Sequence, residues 1–161
     1  MIYELISRLL PQQSGNLASK IYDEDKFYDA FLKDLAQCGS EVIIESPFVT
    51  NRRVIQLLPT IKKLKSRKVR VAINTRNPEE HDNFLRSEAQ SAIGLLQSEG
   101  VQVIFTEGHH RKLAILDRNI LWEGSLNILS QKDSREVMRR TKSAQLAWEM
   151  VRFTKLDKMI S

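Results

Sequence analysis

An α/β fold is predicted by three features of this sequence. Between residues 23 and 105, segments with helical apolar spacing alternate with short aliphatic runs, in the order helix, strand, helix, strand, helix, strand. After residue 110 the rhythm changes to two strand-like runs joined by Asp117-Arg118-Asn119, which reads as an antiparallel hairpin. A final amphipathic stretch closes the chain. Every element occurs once, with no internal repeat. At 161 residues the chain is long enough for one domain with its own core.

The elements follow in order. Ile2 to Leu10 is a short apolar-periodic segment that stops at Pro11, and the polar stretch Gln12 to Ser19 reads as a linker. Residues 1–19 are therefore expected to form an appended helix and linker, and residues 20–161 the main domain. Asp23 to Gln37 predicts a helix, with Asp23 as cap, Phe27, Phe31 and Leu35 on one face, and Gly39 as stop. EVIIE (41–45) predicts a buried strand. Asn51 opens a helical stretch that Pro59 is expected to kink or divide. Strands are predicted at 69–74 and 101–105, flanking a helix over 84–98 that ends at Gly100. The hairpin occupies 112–123. A further short strand is expected at 136–139, and a closing helix at 143–158.

The net charge is +5 and the pI about 9.4, which favours a polyanionic partner such as nucleic acid or an acidic membrane surface. No apolar run approaches the roughly 18 residues of a membrane span, so stable membrane insertion is not expected. The N-terminus carries Glu4 and does not read as a secretory signal. The lone cysteine, Cys38, can form no internal disulfide. No Cys/His cluster suggests a metal, and no cofactor is implied. Cytoplasmic residence is the resulting expectation.

The segment richest in chemistry is HRKLAILDRNILWEGSLN (110–127). Its fixed residues are His110, Lys112, Asp117, Gly124, Ser125 and Asn127. Residues two apart on a strand share a face, so His110 and Lys112 point together while Leu113 and Ile115 point the other way. Asp117, five positions from Lys112, falls on the opposite face and suits a structural bond. Ser125 and Asn127 are again two apart and could converge on one anion, while Gly124 permits close backbone approach. Phosphodiester cleavage needs an attacking group, stabilisation of the phosphoryl oxygens and a proton for the leaving oxygen. His110 suits attack, and Lys112, Ser125 and Asn127 suit stabilisation. One histidine cannot easily attack and also protonate the leaving group, yet the chain holds one copy of the pattern.

These six positions resemble the HKD signature of the phospholipase D superfamily, and the likeness spans roughly residues 22–158. ESPFVT (45–50) is similar to the segment after the family's first core strand. The resemblance implies a three-layer α/β/α lobe with a mixed β-sheet flanked by helices. It implies a phosphohistidine on His110, general acid catalysis by His110 of a second lobe, and a homodimer uniting two single-motif chains. It implies metal-independent chemistry. It also implies that a glutamate after the motif supports the histidine, for which Glu136 is the candidate.

Other residues have two readings. Arg52 and Arg53 follow the strand-end segment ESPFVT and are substrate-binding candidates. His109 reads as a loop residue that can touch substrate. His81, in NPEEHDN, reads as solvated. The basic run 62–70 reads as a solvated helix end, with phosphate tracking as the alternative, and Arg139 and Arg140 raise the same question. Trp122 and Trp148 read as packed aromatics, Trp122 with the rim of the site as its alternative. Cys38 reads as inert.

The expected function is a nuclease acting on DNA or RNA. One alternative is a phospholipid phosphodiesterase. The other is a nucleic-acid-binding module of a larger helicase-type protein.

Overall fold

The structure is a computed structural model that describes residues 18–130 and 133–161. Its elements are β1 (Ser19–Asp23), α1 (Glu24–Ala36), β2 (Glu41–Glu45), α2 (Asn51–Ser66), β3 (Arg70–Thr75), α3 (Asn83–Ser98), β4 (Gln102–Phe105), β5 (Leu113–Leu116), β6 (Ile120–Gly124), β7 (Val137–Lys142) and α4 (Ala144–Thr154). Short 3-10 turns follow β3 (Pro78–Glu80) and α4 (Leu156–Lys158). The segment expected as an N-terminal helix, 2–10, lies outside the described residues.

One seven-stranded mixed sheet carries the fold, in the order β1-β7-β6-β5-β2-β3-β4. Strands β2, β3 and β4 run parallel, joined by crossover helices. All other pairings are antiparallel, and β5 inserts beside β2 with Glu45 opposite Leu113. The sheet is covered on both faces, giving the three layers. On one face Val42, Ile44, Val71, Ile73, Ala114, Leu116, Trp122 and Met138 pack under α1, α2 and α3. On the other, Ile43, Leu113, Ile115 and Leu121 meet Ala147 and Val151 of α4, with Leu156 beyond it. The strict alternation along β5 is what splits its side chains between two cores.

The helices begin where side chains can cap them. Asp23 accepts from the Lys26 amide, Asp82 from Leu85 and Ser143 from Leu146. Gly100, at φ +79°, closes α3. Trp122 is fully buried against Tyr22, Phe27 and Phe31, and its indole N–H donates to Asp34 at 2.9 Å. The Arg140 guanidinium bonds both oxygens of the same carboxylate, which ties β7 to α1. Trp122 is thus core, whereas Trp148 stays about half exposed, with the Arg118 guanidinium 4.4 Å from its ring centroid.

Three details depart from the expectations. Strand β1 starts at Ser19, within the stretch read as linker. Its exposed edge position and polar sequence, SKIYD, leave almost no hydrophobic signal. Helix α2 runs undivided through Pro59. The carbonyl that loses its helical partner belongs to the exposed Ile55, so the break in the ladder faces water. α1 ends at Ala36, ahead of Gly39, because the Gly39 amide donates to Asp117 instead.

Candidate active site

The motif occupies β5, β6 and the segments flanking them. Residues 109–112 lead into β5 without pairing as a strand, but the two-residue alternation holds through them. His110 is exposed and Lys112 partly buried, on the face opposite Leu113 and Ile115. The Lys112 ammonium lies 3.3 Å from His110 Nδ1 and donates to the His110 carbonyl at 2.8 Å. Burial lowers the Lys112 pKa, the nearby Glu136 carboxylate opposes that shift, and Arg76 adds to it. Glu136 itself accepts from the Ser134 hydroxyl at 2.6 Å. Its influence in this structure falls on the lysine.

Asp117 sits at the far end of the same hairpin. Asp117 and Arg118 both adopt left-handed conformations, at φ 51° and 47°. The carboxylate accepts from the Gly39, Ser40 and Glu41 amides at 2.8–2.9 Å and from the Ser40 hydroxyl. Burial raises its pKa, but these donors outweigh burial and hold it below the ordinary carboxylate value. It contacts the turn before β2, not the His110–Lys112 end.

Gly124 ends β6. A Cβ there would come within 2.1 Å of the Val137 carbonyl oxygen, so only glycine fits. The chain leaves the strand at this residue, and the period-two argument for Ser125 and Asn127 fails beyond it. Ser125 Oγ accepts from the Val137 amide at 3.0 Å and is exposed. Asn127 turns instead toward a cavity of about 380 Å³, also lined by Arg53, Ser130, Arg135 and Glu136. Asn127 Oδ1 is buried without a hydrogen-bond partner.

The two arginines after ESPFVT separate. Arg52 is exposed. Arg53 is buried, lies 3.7 Å over the Tyr28 ring and donates to Gln56, and its Nε is unpartnered. Arg53 therefore reaches the cavity beside Asn127, and Arg52 does not line it. His81 corrects its solvated reading, being buried and stacked on Phe48 at 5.2 Å. Cys38 is buried, and burial pushes its thiol up to about 12. In the basic run, Lys62 pairs with Glu99, Arg70 with Glu41, and Arg67 donates to two backbone carbonyls. Arg139 pairs with Glu123.

His109 is not presented to the open side. Its ring is buried and hydrogen-bonded to the Asn74 backbone, while its Nε2, 3.6 Å from Glu45 Oε2, has no hydrogen-bond partner. Burial lowers its pKa, against the pull of Glu45. Sequence reasoning missed this Glu45 cluster. Glu45 is fully buried, and Arg111 bonds both its oxygens, at 2.6 and 2.9 Å. A charged residue ending the apolar run EVIIE was the available signal, since such a group needs a partner when buried.

A protein-family model described as "Cardiolipin synthase, PLD-like domain" matches residues 31–156. The chain belongs to the phospholipase D superfamily. Among curated proteins none matches the sequence significantly. Solved structures with the same fold include NucT from Helicobacter pylori, at 20% identity and a TM-score of 0.68, covering 85% of this chain and 92% of that one. Nuc from Salmonella typhimurium, a phospholipase D family member, shares 14% identity with a TM-score of 0.66, covering 84% and 90%. TrmBL2, described as an archaeal chromatin protein with a novel mode of DNA binding, shares 12% identity with a TM-score of 0.57. It is matched over 99% of this chain and 59% of its own. These likenesses establish the mixed-sheet phospholipase D fold, and the superfamily is one of phosphodiester-acting hydrolases. Among the described residues no helix is long and apolar enough to cross a membrane, and no cluster of three or more His, Cys, Asp or Glu could hold a metal.

Proposed function

We propose that this phospholipase D-like chain is a metal-independent nuclease that uses His110 as nucleophile within a homodimer. The observation that carries the reading is the exposed His110 imidazole with the Lys112 ammonium 3.3 Å from its Nδ1. Glu136, whose carboxylate acts on Lys112, also lines the cavity of Arg53 and Asn127. In this reading a His110 ring nitrogen attacks phosphorus. A P–N bond forms, the P–O bond to the leaving nucleotide breaks, and His110 of a second copy supplies the proton to that oxygen. Water then attacks the phosphohistidine, gives its proton to the second histidine and restores the first. Lys112 neutralises the phosphoryl oxygens as their charge grows. Asn127 and Ser125 are the further polar contacts, and Glu136 acts on the charge of Lys112. Arg53 is the substrate-phosphate contact, with Arg52 at the outer edge. The basic pI supports a nucleic acid over a neutral substrate.

The test incubates purified protein with plasmid DNA, single-stranded DNA and RNA in EDTA, beside His110→Ala, with molecular mass measured in solution. Cleavage lost in the variant, by a dimer, is the expected result. No His110-dependent cleavage of any substrate overturns the nuclease reading. Turnover of cardiolipin or phosphatidylcholine vesicles moves the substrate to lipid, and tight DNA binding without turnover moves the function to a binding module.

A further inference from the structure

Glu45 lies on the sheet face opposite the catalytic pair. Residues 109 and 111 point toward that face, and residues 110 and 112 away from it. Both neighbours of His110 meet the Glu45 carboxylate: Arg111 through two hydrogen bonds, and His109 at 3.6 Å. The Asn74 amide reaches Glu45 from β3 at 3.5 Å. Arg76 adds a second tie, donating Nε and Nη2 to the His109 carbonyl at 3.2 and 2.9 Å. The segment holding the nucleophile has no strand pairing of its own at 109–112. Besides the backbone bond from the Gly124 amide to the Lys112 carbonyl at 3.3 Å, these side chains are what hold it.

We propose that Glu45 is a positioning residue: it clamps Arg111 and His109 from behind the sheet and so fixes the direction in which His110 and Lys112 project. This rests on the reading of His110 as nucleophile. Glu45 touches neither the open site nor the phosphate. It acts through the backbone, where an in-line attack is sensitive to displacements of about 1 Å and can lose about 100-fold in rate. Arg111 is suited to the task because its planar fork meets a carboxylate at two points, which fixes orientation as well as distance.

The experiment compares wild type, Glu45→Gln, Arg111→Gln and the double variant, using bis(p-nitrophenyl) phosphate as a small substrate, with amide hydrogen exchange on each protein. The expected result is a kcat lower by about 30- to 100-fold with KM within about threefold, in each single variant. The double variant should lose no more than the worse single one, because both changes undo one contact. Exchange should rise at 109–113 and not across the other strands. Restored charge in Glu45→Asp should recover part of kcat. If Glu45→Gln fails to fold, Arg111→Gln reads the same contact from its partly exposed side. A folded variant with wild-type kcat overturns the proposal, as does a loss confined to KM. If wild type turns over neither this substrate nor any of the DNA and RNA substrates, the nucleophile reading fails. The exchange pattern then decides the clamp alone: local loosening at 109–113 supports it, and unchanged protection there overturns it.

Discussion

The Lys112 ammonium folds back on His110, 3.3 Å from its Nδ1 and 2.8 Å from its carbonyl oxygen. The cation is thus held against the imidazole by the backbone of the residue it serves. A phosphate bound at His110 would meet this charge without any rearrangement of the lysine, the kind of preorganisation that stabilises developing charge.

Lys112→Met keeps the length of the side chain and removes the charge. Turnover should fall by about 100- to 1,000-fold, the usual loss when one transition-state donor is removed. The melting temperature should stay within about 2 °C, because Lys112 makes no contact that the core needs. Steady-state kinetics and a thermal melt on the same preparation check both halves.

Glu136→Gln should narrow the pH profile from its alkaline side. Burial lowers the Lys112 pKa and Glu136 opposes that shift. Without the carboxylate the ammonium loses its proton at lower pH, and the alkaline limb of kcat moves down with it. An alkaline limb that stays in place, in a rate-versus-pH series, would show that Glu136 does not govern this charge.

Asp117→Asn should cost about 2 kcal/mol at neutral pH through loss of a charged acceptor for three amides and a hydroxyl. Asparagine tolerates the left-handed conformation at this position, so the charge is the variable. The folded pKa is depressed, so the stabilisation is complete above about pH 4 and disappears as pH falls through the folded value. Denaturation midpoints of the two proteins should converge in acid, while activity per folded molecule at neutral pH stays unchanged.

Gly124→Ala places a methyl group into the Val137 carbonyl and Met138. The backbone of β7 must move, at a cost of about 3 kcal/mol. Urea unfolding should show the loss. Because Ser125 hydrogen-bonds the same Val137, residual folded protein should also be less active.

The sequence made the covered strands and the motif legible because both obey short periods. EVIIE is β2 to the residue, and the alternation through 110–116 assigned each side chain to its face. What escaped depends on contacts distant in sequence. β1 is a strand because β7 lies beside it, far along the chain (Asp23 pairs with Val137 at one end, Ser19 with Thr141 at the other). Its own residues carry little signal. Arg111, between the fixed His110 and Lys112, drew no reading, because its partner Glu45 is 66 residues away. Ser125 and Asn127 were placed by strand geometry that stops at Gly124. Asp117 was legible as structural by parity, but its three amide donors were not.

The β5–β6 hairpin keeps its anchor and its chemistry at opposite ends. Asp117 grips the turn before β2, and His110 stands at the other tip, outside the core. A lineage can therefore replace the exposed His110 imidazole by one codon change and inherit an intact scaffold. The same separation makes the exposed His110 itself a tractable place for redesign, whereas its neighbours His109 and Arg111 are tied to the buried Glu45.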